Sequence, residues 1–211
     1  MLEPRGAEPP VYDDLPDNAL LDRIREGGLR LFEIFARRNA RRLYRAARAI
    51  LRDDAEAERV VRDTFLRVRA CPTELHGRAR LSTWLLSLAV REARARARAR
   101  GEPRADRPDA PDLERAIDAL PDGLRAVFVL RALDELSISE TAEVLCVSTD
   151  AVRERFARAV SLLRPAVGRA SEVPFALPVA RRERVVGAAL RPMPRRSDAA
   201  EVSAETRARR P

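Results

Sequence analysis

An all-α protein built of two small helical domains is the architecture this chain predicts, and three observations carry the prediction. Charged residues make up 35% of the 211 residues and aromatic residues only 4%, a balance that suits one or two small helical domains better than one large core. Ala, Leu, Arg and Glu dominate, which favours helix, and no stretch alternates with the two-residue period of a half-buried strand. A Pro-bearing stretch at residues 101–111 separates two helical blocks, and Pro-bearing segments flank them on either side.

The elements follow in order. Residues 1–16 are Pro-rich and acidic and read as disordered. The first domain, residues 17–100, opens on Asp17, which caps a short helix Asn18 to Glu26 that Gly27-Gly28 ends. From Leu29 to Leu51, the side chains of Leu31, Phe32, Phe35, Leu43, Ala47 and Ile50 recur at helical spacing. Asp53-Asp54 then caps a helix whose stripe is Val60, Val61, Thr64, Phe65 and Val68. Residues 72–80 read as a loop. A third helix, Leu81 to about Arg100, turns Leu81, Trp84, Leu85, Leu88 and Ala89 inward, with Trp84 a core residue first.

Residues 101–111, with Pro103, Pro108 and Pro111, form a flexible linker. The second domain, residues 112–168, starts with helices Asp112–Leu120 and Pro121–Leu133. Leu136, Ala142, Leu145, Val147, Val152, Phe156 and Val160 then fall at helical spacings on either side of Cys146-Val147-Ser148, so two helices can share one small core. Ser137 with Glu140 makes a capping box for the first of the pair, and Ser148 caps the second. Cys146 occupies the turn, where a left-handed backbone would cost about 1 kcal/mol for any residue but Gly. The outer face of the second helix offers Thr149, Asp150, Arg153, Glu154, Ala157 and Arg158. Such a face suits the DNA major groove; it equally describes an ordinary solvated helical hairpin.

Charge narrows the choice. The net charge is +8, carried by 41 basic residues that are all Arg, which points to a polyanionic partner: nucleic acid or an anionic membrane surface. The N-terminus lacks the apolar stretch of a signal peptide, and no apolar run approaches the roughly 20 residues that span a bilayer; a cytoplasmic protein without membrane insertion is expected. Cys71, Cys146 and the lone His76 form neither a disulfide framework nor a metal site. With no Gly-rich phosphate loop and no nucleophile paired with a base, neither an enzyme nor a cofactor is expected. The basic tail, residues 169–211, reads as mostly disordered, with Val179 to Leu190 the one segment able to form a short amphipathic helix.

Two helical modules, a linker and a terminal helix-turn-helix resemble the layout of bacterial RNA polymerase sigma factors of the extracytoplasmic-function (ECF) type. DAEAERVVRDTFLR (residues 54–67) looks like the polymerase-binding helix of that family, RLSTWLLSLA (80–89) like its promoter-melting helix, and ALPDGLRAVFVLR (119–131) like the lead-in to its −35-binding domain. The helix-turn-helix follows in register, and the likeness covers about residues 19–167.

The resemblance implies a set of partners and contacts. Core RNA polymerase would meet Glu58, Arg59, Arg62 and Asp63, expected to be exposed on the second helix. The unpaired strand of the −10 element would meet His76, Arg78, Arg80, Trp84, Arg91 and Arg94. Double-stranded −35 DNA would meet Ser148, Thr149, Asp150, Arg153, Glu154, Arg155 and Arg158, with Arg155 on phosphate. An anti-sigma factor is a further candidate partner. Arg59 and Arg62 stand where the family carries an acidic residue and a glutamine, reversing charge on that surface. Two alternatives stay open on that ground: a stand-alone helix-turn-helix repressor or activator, and a degenerate sigma-like interaction protein.

Overall fold

The computed structural model describes residues 29–70, 81–100, 112–167, 175 and 177–190. The expected helix Asn18–Glu26, the loop at 72–80, the linker at 101–111, the N-terminal segment and the end of the tail lie outside the described residues.

Three helices build the first module: α1 (Leu29–Leu51), α2 (Asp54–Ala70) and α3 (Leu81–Arg100), with the bounds their apolar spacing predicts. Phe32 and Phe35 of α1 meet Phe65 of α2 in a cluster whose ring centroids lie 6.2, 6.3 and 6.4 Å apart, a separation at which tilted and edge-on rings attract. The whole stripe Val60, Val61, Thr64, Phe65 and Val68 is buried, and Leu81, Leu85, Leu88 and Ala89 close the core from α3. Trp84 is partly buried against it. Asp53 starts α2 by accepting the Glu56 N–H at 3.0 Å, the capping role its position before the stripe predicts.

The second module consists of α4 (Asp112–Asp118), α5 (Asp122–Phe128), α6 (Ile138–Leu145) and α7 (Thr149–Val167). The uninterrupted helix expected to reach Leu133 instead ends at Phe128 and continues as a π-helical turn, Val129–Leu133. There the Asp134 N–H donates to the Val129 carbonyl, five residues back, a widened turn of the kind seen as short insertions in α-helices. One core position also differs. Val160 is 39% exposed, whereas Ala159 and Leu163 are buried. At about 100° per residue, Val152, Phe156, Ala159 and Leu163 share one arc and Val160 falls beside it.

The tail differs most. Val179–Leu190 forms helix α8, which packs on α1 and α2 and buries Val185, Val186 and Ala189. Disorder therefore does not describe this part of the tail. A helix of this length is marginal alone; the groove between α1 and α2 supplies the apolar partner that its own sequence lacks.

The two modules also pack on each other, α1 against α5 and the π-turn, α3 against α6. Buried arginines cross this seam. Arg48 of α1 grips Asp118 of α4 through both terminal nitrogens, at 3.0 and 2.7 Å, while its Nε donates to Asp54 at 2.7 Å. Arg125 of α5 donates to the Ala49 carbonyl of α1 and to the carbonyls of Asp118 and Leu120. Arg45 reaches the Leu133 carbonyl at 2.9 Å. Burial alone would lower the Arg48 pKa, but the hydrogen bonds and charges of Asp118 and Asp54 more than offset it, so the guanidinium stays charged inside a paired site.

Candidate polymerase and nucleic-acid interfaces

Local chemistry fixes the helix pair of the second module. Ser137 Oγ accepts the Glu140 N–H at 3.1 Å, and Glu140 returns the contact by accepting the Ser137 N–H at 2.8 Å, the reciprocal capping box that the spacing predicts. Helix α6 ends at Cys146 with φ 53° and ψ 51°. The Val147 N–H donates to Ala142 and the Cys146 N–H to Glu143, the paired bonds of a Schellman ending. Ser148 Oγ then accepts the Ala151 N–H at 3.2 Å and starts α7. Val152, Ala159 and Leu163 hold α7 to the module. Phe156, half-buried, stacks on Phe128 at 6.3 Å, and the Arg131 guanidinium lies 5.3 Å from its ring centroid.

This anchoring leaves Ser148, Asp150, Arg153, Glu154, Ala157 and Arg158 exposed, with Thr149 and Arg155 half-buried. Asp150, Arg153, Glu154 and Ala157 lie within one arc of α7, with Arg158 at its edge. Arg153 donates to Asp150 at 2.5 Å, with the two side chains 60% and 87% exposed; such a surface pair holds weakly and is readily exchanged for a base or phosphate. Arg155 lies off this arc, its guanidinium beside Gly123 of α5.

The face of α2 expected to be exposed is only partly so. Arg59 is exposed and pairs with Glu56. Arg62 is partly exposed, and Asp63 is shared between Arg62 at 2.8 Å and Arg96 of α3 at 2.5 Å. Glu58 departs furthest: only 15% of its side chain is exposed, because Arg181 and Arg184 of α8 pair with it. The sequence signal for this cover was the run Arg181-Arg182-Glu183-Arg184 in the candidate tail helix.

On α3, Arg91 is exposed and Trp84 half-buried. Arg94 donates to the Leu145 carbonyl at the end of α6, at 2.9 Å, so a residue expected on −10 DNA lies here against the helix-turn-helix. His76, Arg78 and Arg80 lie outside the described residues. No described helix is long and apolar enough to cross a membrane.

Three residues important to this arrangement, Arg45, Arg48 and Arg125, escaped sequence reasoning. An arginine in a helix reads as solvent-facing unless its buried acceptors are known, and here those acceptors lie as far as 89 residues away in sequence.

Comparison with known proteins agrees with the two-module arrangement. The model of the family described as Sigma-70 region 2 matches residues 35–102, and that of Sigma-70, region 4 matches residues 111–163. No curated protein sequence matches the chain significantly. Among solved structures, the sigma factor RpoE of Bartonella quintana, crystallised with the anti-sigma factor NepR, is 20% identical with a TM-score of 0.55, covering 62% of this chain and 92% of its own. CnrH, solved in complex with the cytosolic domain of CnrY, is 27% identical with a TM-score of 0.58, covering 74% of this chain and 99% of its own. With the two sigma regions in order along the chain and a matching all-helical fold, the chain belongs to the sigma-70 family as a sigma factor of the ECF type.

Proposed function

We propose that this sigma factor divides promoter recognition between its modules. The first binds core RNA polymerase through the face of α2 that carries Glu58, Arg59, Arg62 and Asp63. It engages −10 DNA through α3 and the segment before it, with Trp84, Arg91 and Arg94 joined by His76, Arg78 and Arg80. The helix-turn-helix reads the −35 element through Ser148, Thr149, Asp150, Arg153, Glu154 and Arg158, with Arg155 on phosphate. This work belongs in the cytoplasm, where chromosome and polymerase meet. It requires no cofactor.

One observation carries the reading: a doubly capped helix pair presents a single exposed polar arc on α7, behind a module of the sigma region 2 type. A recognition helix must be held rigidly from behind while its outer side chains stay free to meet base edges, and both conditions hold here.

The test is transcription. Purified protein added to bacterial core polymerase and a library of genomic promoter fragments should start transcripts at a discrete set of sites sharing −10 and −35 motifs. DNA binding without initiation or polymerase association would favour a stand-alone repressor or activator. Absence of both would favour a sigma-like interaction protein.

A further inference from the structure

Helix α8 sits on the surface through which α2 would meet polymerase. Its apolar side, Val185, Val186 and Ala189, is buried, and it lies against both α1 and α2. Its charges match the surface beneath. Arg181 pairs with Glu58 and, at 3.3 Å, with Asp54, while Arg184 reaches the other oxygen of Glu58 at 3.4 Å. Arg37 of α1 pairs with Glu183 at 2.7 Å, and Arg69 near the end of α2 donates to the Ala189 carbonyl at 2.9 Å. The helix is therefore held at several points along its length by a surface of complementary charge.

The tail also touches the seam between modules. Phe175 is buried; its N–H donates to Glu114 of α4 at 2.7 Å, and the Arg48 guanidinium lies 5.2 Å from its ring centroid. Arg48 is the same side chain that grips Asp118 across the seam. One short stretch of tail thus contacts α4 of the second module, the bridging arginine of the first, and the outer face of α2.

We infer that α8 is an internal competitor for core polymerase: docked, it covers the Glu58 side of α2 and helps hold the modules together, and polymerase binding requires its release. The inference rests on the polymerase reading of α2. The physical argument is exclusion. Arg181 and Arg184 each take one oxygen of Glu58 and leave 15% of its side chain exposed, which leaves little room for a basic group on polymerase, and a helix seated in the α1–α2 groove blocks close approach of a second protein. The competitor is covalently attached, so its effective concentration is high even when the docking itself is modest.

The experiment compares core-polymerase affinity for the full-length wild type, an Arg181→Glu/Arg184→Glu chain and a Val186→Asp chain, with labelled protein at fixed salt. The first variant turns attraction to Glu58 and Asp54 into repulsion, and also removes the Arg181 guanidinium from over the Tyr44 ring, while keeping Val185, Val186 and Ala189; the second undocks the apolar face. Both should bind polymerase at least tenfold more tightly than wild type. A synthetic peptide of residues 175–190, added in excess to the Val186→Asp chain, should restore weak binding. Equal, measurable affinities for all three chains would overturn the competitor role and leave the polymerase reading standing. No binding by any of them would overturn both. A peptide that leaves the Val186→Asp affinity unchanged would likewise count against occupation of the polymerase surface by α8.

Discussion

Cys146 shows how one side chain can strain a recognition motif. It is one of four described non-glycine residues with positive φ, and it sits in the left-handed region where a β-carbon crowds the backbone. The Cys146 side chain itself offsets the crowding only weakly. The thiol is exposed, and its contact with the Glu143 carbonyl is 3.7 Å long. Cys146→Gly should therefore stabilise the chain by about 0.5–1 kcal/mol, seen as a higher urea midpoint with an unchanged slope; a lower midpoint would mean that the thiol contributes contacts that outweigh the strain. The strain was legible in the sequence because turn chemistry is local. The fates of the arginines were not: Arg153 is solvated on α7, whereas Arg48 is buried in a fork with Asp118, and only the fold distinguishes them.

Helices were legible to the extent that their signals were local. The three helices of the first module and the α6–α7 pair carry their apolar spacing within the chain, α2, α6 and α7 their caps as well, and they form where that spacing puts them. The cap of α6 permits a direct test. Ser137→Ala removes the acceptor for the Glu140 N–H and should cost about 1 kcal/mol, with hydrogen exchange accelerating first at the amides of the first turn of α6; unchanged exchange there would show that tertiary packing alone fixes the start of the helix. Val160 and α8 depended on non-local information. Val160 could be separated from Ala159 only by knowing the direction from which α4, α5 and α6 approach α7. Helix α8 required a groove formed by two helices more than 100 residues earlier, as the pairing of Arg181 with Glu58 illustrates. A short amphipathic pattern does not by itself identify its partner, which is why the segment reads as able to form a helix while its docking on α1 and α2 does not show in the sequence.

At the scale of the whole molecule, the seam between modules determines whether the two modules move as one body. Its charged groups make that coupling sensitive to pH. Asp134, at the end of the π-turn, is buried, and burial pushes its pKa up to about 6 despite the lowering effects of Arg45, Arg42 and Arg41. Arg45 Nη1 lies 3.4 Å from one carboxylate oxygen, and the other oxygen is buried without a hydrogen-bond partner. A folded-state pKa above the ordinary aspartate value of 3.8 means that the native protein binds a proton more readily than the unfolded chain. The stabilising contribution of this group is therefore present below about pH 4 and lost as pH rises through about 6, the reverse of an ordinary salt-bridged aspartate. Comparison with Asp134→Asn isolates this effect, because other titrating groups are common to both chains. Relative to the variant, wild-type stability should fall by up to about 3 kcal/mol between pH 4 and pH 7, measured by denaturant unfolding at both ends. Parallel pH profiles would show that water or movement of α1 solvates the carboxylate. The predicted divergence would instead locate the pH response at the seam, where deprotonation of Asp134 weakens the packing of the π-turn against α1.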